Sequence, residues 1–324
     1  MIEDQLIRRA VLKRFAVFEQ KQRLPHAYLF VGPDAIGKSQ TALGVAKLIN
    51  CEEKKDLPSG EFCDSCPSCQ KINTNNHPDV RLIDSSFGES IKIEQIRGLL
   101  DQIRLRPFMS EKKIFIIPNV DRVTLEAGNA LLKTLEEPTD NSLLILTTSV
   151  PEKVLDTIKS RCYAMLFSPL PVKDLKKHLE ENESQKENHA HFLAHFSDGC
   201  LGKAQQLHTE GIIKTKDHII KNFITTDRDP DFAKEVLGDK EKTKEFLQVL
   251  LSWNRDCLLL KSGAQEKQLI HKDRLTDLKN FQKRFSFEEL QEFNNDVVDM
   301  CQLLAENLNL KIPLMIIKER LRYG

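Results

Sequence analysis

The stretch "AYLFVGPDAIGKS", residues 27–39, indicates the fold of this chain. It opens with a short apolar run that is typical of a buried strand, and then fits the pattern G-x-x-x-x-G-K-[ST] without gaps. The residues that follow, "SQTALGVAKLI" at 39–49, have the spacing of a helix. A strand, a glycine-containing loop and a helix in this order predict a phosphate-binding loop in an α/β domain.

Four residues of this loop are candidate nucleotide ligands: Gly32, Gly37, Lys38 and Ser39. The glycines let backbone N–H groups curl around an anion, and the following helix adds the positive end of its dipole. Lys38 is expected to reach the β- and γ-phosphates, and Ser39 to bind Mg²⁺. The motif therefore predicts binding of ATP or ADP with Mg²⁺, and it predicts binding more strongly than hydrolysis.

Three further apolar runs follow before residue 168: "DVRLID" at 79–84, "KIFIIP" at 113–118 and "SLLILTTS" at 142–149. They read as buried strands separated by amphipathic helical stretches. This alternation is typical of a parallel sheet with helices on both faces. We therefore expect an α/β nucleotide-binding domain over residues 1–168.

The composition changes after "LFSPLP" at 166–171, where the chain becomes charged and helix-periodic. We expect a small helical domain over 169–209 and an all-α domain over 210–324, with a turn-rich break, "TTDRDPD", at 225–231. Ser286 and Glu289 fit a capping box at the start of a late helix. The apolar face of that helix is predicted to consist of Leu290, Phe293, Val297, Cys301, Leu304 and Leu308.

The overall charge gives no sign of a particular partner. Lys and Arg number 48, and Asp and Glu also number 48, so no global attraction to nucleic acid or to a membrane is expected. No apolar run approaches the roughly 18 residues of a membrane span, and the first residues lack the pattern of a secretory signal. We expect a cytoplasmic protein with no membrane partner.

Four of the eight cysteines, Cys51, Cys63, Cys66 and Cys69, form the spacing C-x11-C-x2-C-x2-C. Four thiolates suit tetrahedral zinc, and disulfides are disfavoured in a reducing compartment. Because protein ligands fill all four positions, the prediction is structural Zn²⁺. A DNA-reading zinc module is disfavoured, since residues 61–70 contain no Lys or Arg.

The strand within "KKIFIIPNVDRV", residues 112–123, ends without the acidic pair that a P-loop ATPase uses to hold magnesium and polarise water. Pro118 and Asn119 stand there instead. Asp121 is close by, and we expect it to cap the helix that begins near Thr124; the alternative is that it binds magnesium. The expectation is a nucleotide site with little or no hydrolysis.

Several motifs in a fixed order resemble the bacterial clamp-loader ATPase family, a group of AAA+ proteins. The resemblance implies the AAA+ fold, then a helical lid at 169–209 and a collar oligomerisation domain at 210–324. It also implies a role in placing a ring-shaped sliding clamp on primed DNA for the replicative polymerase. The segments that carry it are "RLPHAYLFVGPDAIGKS" (23–39), "NALLKTLEEP" (129–138), "TTSVPEKVLDTIKSRC" (147–162), "GCLGKAQQL" (199–207) and "ENLNLKIPLMIIKERL" (306–321).

This family contains motor subunits, which carry the acidic pair, and a delta-prime type of subunit that serves as a stator in DNA polymerase III. Pro118 and Asn119 favour the stator type. The resemblance then implies gamma/tau and delta subunits as partners, with the clamp and primed DNA reached through the assembled complex. Any polymerase activity would belong to the whole holoenzyme. The alternative is an active motor ATPase of the gamma/tau type.

The resemblance also implies roles for single residues. Arg161, in "SRC", is similar to the arginine finger that is offered in trans to ATP on an adjacent motor subunit; the alternative is a surface ion pair. Thr147 or Thr148 stands where the family has its sensor 1, although either is also an ordinary strand residue. Lys203 stands at the sensor 2 position, where the family usually has Arg.

Overall fold

The computed structural model describes residues 4–83, 90–183, 185–225, 236 and 238–323. The chain forms two compact units. The first, here called the α/β unit, comprises Met1–Leu170 and Cys200–Gly202; the second, the helical unit, comprises Pro171–Gly199 and Lys203–Gly324. Residues 200–202 thus pack with the α/β unit, although the predicted lid contains them. The predicted division of the helical region between residues 209 and 210 stays a prediction.

The α/β unit contains five described strands and six described α-helices. The strands are β1 (Ala27–Val31), β2 (Val80–Leu82), β3 (Lys113–Ile117), β4 (Ser142–Thr148) and β5 (Tyr163–Leu166). The helices are α1 (Asp4–Gln20), α2 (Lys38–Asn50), α3 (Pro67–Asn73), α4 (Ile93–Ile103), α5 (Leu125–Glu136) and α6 (Asp156–Lys159).

The five strands form one parallel sheet in the order β2-β3-β4-β1-β5. Four of them confirm the predicted strands, although β2 is shorter than predicted and residue 84 lies outside the described residues. The sequence analysis did not predict β5, a strand of only four residues of which Met165 alone is buried. Parallel pairing puts the carboxyl ends of β1, β3 and β4 at one edge of the sheet.

Alternate residues of the strands face opposite cores, as the period of two requires. Tyr28 and Ile114 belong to the core that α1, α2 and α3 cover, while Leu29 and Phe115 belong to the core that α4, α5 and α6 cover. The helices therefore lie on both faces of the sheet, and the predicted fold class is confirmed. Both faces of the central strands are buried, which explains their continuous apolar runs.

The helical unit contains no strand among its described residues. Its described helices begin with α7 (Val172–Asn182) and α8 (Glu187–Phe196). They continue with α9 (Leu201–Glu210), whose first two residues belong to the α/β unit, and α10 (Ile212–Ile219), which a π-helical turn (Ile220–Thr225) extends. The last four are α11 (Lys240–Lys261), α12 (Leu275–Arg284), α13 (Phe287–Ala305) and α14 (Lys311–Tyr323). The predicted break at 225–231 lies outside the described residues apart from Thr225. In the parts of the chain described here, no helix is both long and apolar enough to cross a membrane.

The capping box of α13 is confirmed: the Ser286 hydroxyl accepts from the Glu289 N–H, and the Glu289 carboxylate accepts from the Ser286 N–H. Its predicted apolar face is only partly right. Leu290, Phe293 and Val297 are buried, but Met300 takes the next buried position, and Leu308 lies beyond the helix and is exposed. The reason is that the helix ends at Ala305, so the periodic pattern outlasts the helix.

Candidate functional site

The phosphate-binding loop joins β1 to α2. Gly37, the N-cap of α2, has a φ of 93°, which side chains disfavour. A Cβ at Gly32 would lie 2.5 Å from the carbonyl oxygen of Phe167. Both glycines are therefore needed by the backbone path itself, Gly37 for its conformation and Gly32 for close packing beside the end of β5.

Lys38 is buried at the first position of α2. Its Nζ donates to the carbonyl oxygens of Gly32, at 2.6 Å, and Pro33, at 2.7 Å. Burial lowers the pKa of the Lys38 ammonium, and the negative charges of Asp34 and Asp121 oppose that shift. The ammonium is thus held inside the curve of the loop, while Ser39 is half-buried beside it.

The turn after β3 provides no carboxylate at the end of the strand. Asn119 has a φ of 51°, a left-handed conformation that Asn tolerates better than most residues. Its backbone N–H donates to Oγ1 of Thr147 at 3.3 Å. Thr147 therefore holds the turn, and the side chain that follows Pro118 is a neutral amide.

Asp121 lies in a 3-10 turn directly after Asn119. Its Oδ1 accepts a hydrogen bond of 2.6 Å from the hydroxyl of Thr148, at the end of β4. The expectation that Asp121 caps α5 is wrong, because Thr124 is the N-cap and accepts from the backbone N–H of Ala127 at 3.3 Å. The structure therefore pairs Thr148 with Asp121, a contact that the sequence did not reveal.

Arg161 follows α6 and is partly exposed. Its Nη2 lies 2.6 Å from Oε1 of Glu136, and its Nη1 donates to the carbonyl oxygen of Thr157 and to Oγ of Ser160, at 3.0 and 3.3 Å. The surface ion pair considered as the alternative is therefore present in the isolated chain. Burial raises the pKa of the neighbouring Cys162 thiol to about 12, so this cysteine is not activated as a nucleophile.

The segment "GCLGKAQQL" contributes to two places. A Cβ at Gly202 would collide with the carbonyl oxygen of Ala35, so Gly202 marks a close approach to the phosphate-binding loop within the α/β unit. Lys203 belongs to the helical unit, where its Nζ lies 3.8 Å from Oδ2 of Asp198. It lines a cavity of about 350 Å³ together with Arg255. The sequence analysis singled out Lys203 and missed Gly202. The only sign of this close approach in the sequence is a glycine near the start of a helix.

The four predicted cysteines come together. Their Sγ atoms all lie within 4.8 Å of one another, and Sγ of Cys51 is 3.6 Å from Sγ of Cys63. Tetrahedral zinc with Zn–S bonds of about 2.3 Å requires S–S separations of about 3.8 Å. The backbone N–H groups of Cys66 and Cys69 donate to the sulfurs of Cys63 and Cys66, at 3.2 and 3.5 Å. The cluster therefore fits a metal ion such as zinc.

Local folding ties this cluster to the phosphate-binding helix. Cys51 directly follows α2, and Cys66 is the N-cap of α3. The Lys47 ammonium, from the last turn of α2, pairs with Asp64 and lies 4.9 Å from the centroid of the Phe62 ring. The cysteine cluster thus anchors the end of α2 that is opposite to Lys38.

Two family descriptions match this chain. The family "DNA polymerase III, delta subunit" matches residues 7–171, and the family "DNA polymerase III, delta subunit, C terminal" matches residues 220–321. Among individual relatives, DNA polymerase III subunit delta' of Bacillus subtilis (strain 168) is 31% identical over 300 residues, which is 90% of this chain and 89% of that protein.

One further relative and one solved structure are also similar. DNA polymerase III subunit tau of the same B. subtilis strain is 33% identical over 197 residues, 59% of this chain but only 34% of tau. A DNA polymerase III gamma subunit-related protein from Thermotoga maritima has a TM-score of 0.51 at 20% identity, covering 97% of this chain and 98% of that one, which shows the fold alone. The chain belongs to the delta-prime family of DNA polymerase III clamp-loader subunits, with an AAA+ fold.

Proposed function

We propose that this chain is the stator of a clamp loader, which helps to place a sliding clamp on primed DNA and offers Arg161 in trans to an adjacent ATPase subunit. Its partners would be gamma/tau and delta subunits in the cytoplasm, with the clamp and DNA reached through the complex. The observation that carries this proposal is the combination of a complete phosphate-binding loop with a β3 end formed by Pro118 and a left-handed Asn119.

The chain's own site suits nucleotide binding better than hydrolysis. The loop supplies its glycines, Lys38 and Ser39 for ATP or ADP with Mg²⁺. Hydrolysis also needs a carboxylate to hold the metal and a group to orient water, and neither Pro118 nor Asn119 provides one. Asp121 already accepts a hydrogen bond from Thr148. Sensor roles for Thr148 and Lys203 belong to this proposal, Lys203 as a cation that cannot make the bidentate contact of Arg.

Arg161 suits a role in trans. Its side chain is 35% exposed, and a planar guanidinium stabilises the charge that spreads over a transferred phosphoryl group without any metal of its own. The ion pair with Glu136 does not oppose this role, because an exposed pair contributes little free energy and Glu136 accepts from only one of the five guanidinium N–H donors.

The alternative is an active motor ATPase that uses Asp121. The observation that favours it is the negative charge of Asp121, which acts on the Lys38 ammonium of the phosphate-binding loop and raises its pKa against the larger, lowering effect of burial. Robust ATP turnover by the isolated chain, abolished by Lys38→Ala, would establish the motor and refute the stator.

The decisive experiment uses the chain in a reconstituted complex with gamma/tau and delta subunits, clamp and primed DNA, in which only the motor site facing this chain is competent. Arg161→Ala should slow ATP turnover at that site by a factor on the order of 10³. Lys38→Ala in this chain should leave that turnover within about twofold of the unmodified complex, because Lys38 serves only the chain's own site. Unchanged turnover with Arg161→Ala would remove the trans role.

We also propose that the four-cysteine cluster holds structural zinc. Four thiolates fill all four positions of a tetrahedral zinc site and leave none open for water. Metal analysis of the purified chain should find one zinc ion per chain, and Cys69→Ser should remove it. Cys301→Ser, in the helical unit, is the matched control and should retain the metal. If the Cys69→Ser variant also retains its zinc, the assignment is refuted.

A further inference from the structure

We propose that Glu136 is a positioning residue for Arg161, so that the arginine meets a neighbouring nucleotide already oriented. This inference rests on the proposed trans role of Arg161. It adds a residue from a different helix to that site, since Glu136 is the last residue of α5 while Arg161 follows α6.

The contacts hold both ends of the guanidinium fork. Thr157 and Ser160, from the same turn as Arg161, accept only from Nη1. Nη2 is held by Oε1 of Glu136, at 2.6 Å. A guanidinium has five N–H donors, and these contacts use three of them. The remaining donors are available to an anion while the orientation of the plane is fixed.

The two helices that carry these side chains are themselves fixed in place. A Cβ at Gly128 of α5 would lie 2.8 Å from Cδ1 of Leu155, so the glycine allows the turn before α6 to pack closely on α5. Leu131 and Ile158 are buried in the same core. Core packing therefore fixes the backbone positions from which Glu136 and Arg161 project, so their separation does not depend on the flexible side chains alone.

A fixed orientation matters because an arginine side chain has many rotamers, and ordering it during the reaction would raise the barrier. A carboxylate contact made before the partner arrives removes that ordering step. The Glu136 side chain is 52% exposed, so water screens its charge and the guanidinium, still paired with Glu136, keeps its attraction for the negative charge of a polyphosphate.

The test measures kcat and KM for ATP in the complex with a single competent motor site. Glu136→Ala should lower kcat by about tenfold and leave KM unchanged, because the arginine stabilises the transition state more than bound ATP. Glu136→Gln keeps an amide oxygen that accepts from Nη2 and should retain most of the activity. Glu137→Ala removes the adjacent exposed glutamate, serves as the matched control and should have no effect. Size-exclusion chromatography verifies assembly, and Glu136→Asp replaces any variant that fails to assemble, with a lowered kcat again expected.

The outcomes separate this inference from the proposed function. If Arg161→Ala slows turnover but Glu136→Ala does not, the positioning role is overturned and the trans arginine stands. If Glu136→Ala raises kcat, or changes KM alone, the positioning role is also overturned. If Arg161→Ala itself has no effect, the proposed function fails, and the inference fails with it.

Discussion

Two ion pairs, one in each unit, differ in how deeply their charges are buried. Lys216 and Asp273 pair within the helical unit, with side chains 2% and 21% exposed, and the Lys216 ammonium also lies 4.7 Å from the centroid of the Phe192 ring. Arg161 and Glu136 pair within the α/β unit, with side chains 35% and 52% exposed.

The difference lies in what each charge would lose without its partner. Breaking a buried pair leaves a desolvated charge, whereas breaking an exposed pair returns both charges to water. Lys216 therefore has a structural role: its pair with Asp273 connects α10 to the 3-10 turn that contains Asp273. The pair of Arg161 with Glu136 contributes little to stability, so these exposed side chains are not needed to hold the fold together.

The largest effect should come from breaking the buried pair. Lys216→Ala is expected to lower the free energy of unfolding by about 3–5 kcal/mol, because it removes a fully buried side chain together with its contacts to Asp273 and to the Phe192 ring. Arg161→Ala should lower it by no more than about 1 kcal/mol. Urea titration followed by fluorescence of Trp253, the single tryptophan and a buried residue of the helical unit, measures the first variant. Circular dichroism of the whole chain measures the second, and equal losses in the two variants would break the comparison.

A smaller effect, on activity instead of stability, should follow Arg161→Lys. Lysine keeps the charge but lacks the planar fork, so turnover at the facing motor site should fall by about 10²-fold, equivalent to about 2.7 kcal/mol. The free energy of unfolding should change by less than about 0.5 kcal/mol. Full activity of the lysine variant would show that charge alone is sufficient and that the fork geometry is irrelevant.

The smallest effect concerns pH, through a half-buried imidazole in the helical unit. Burial, together with the positive charges of His191, Arg255, Lys272 and Lys176, lowers the pKa of His195 to about 4. The unfolded chain therefore binds this proton first on acidification. The contribution of neutral His195 to the free energy of unfolding is therefore fully present above about pH 6.5, and it is lost as the pH falls towards 4.

Replacing this imidazole should flatten the acid limb of the stability curve. His195→Gln is expected to reduce the loss of unfolding free energy between pH 6.5 and 4, and His189→Gln on the same helix serves as the control. Urea titrations of the three proteins at several pH values provide the measurement. Asp198 and Lys203 line the same cavity as His195, and a substitution at His195 can disturb them at any pH. The slopes are therefore compared only if both histidine variants retain the wild-type free energy of unfolding at pH 7.5. Identical slopes would contradict the assignment.

Much of the architecture was readable from local sequence. The phosphate-binding loop, the capping box of α13 and the cysteine spacing each lie within a short stretch, where backbone geometry and chemistry require particular residue types. Strands β1, β3 and β4, with their continuous apolar runs, were predicted for the same reason, and β2 was predicted from a shorter apolar stretch that Arg81 interrupts. Strand β5 was missed because it is short and half exposed, and only its pairing with β1 makes it a strand.

The sequence by itself determined that this chain has a phosphate-binding loop without an acidic strand end, and a four-cysteine cluster. Tertiary structure alone decided which distant residues meet: Thr148 with Asp121, Gly202 with the loop at Ala35, and Glu136 with Arg161. The physical reason is the range of the interactions. Conformational preferences and ligand spacing act between near neighbours, whereas these pairs are joined only when the sheet and its covering helices pack.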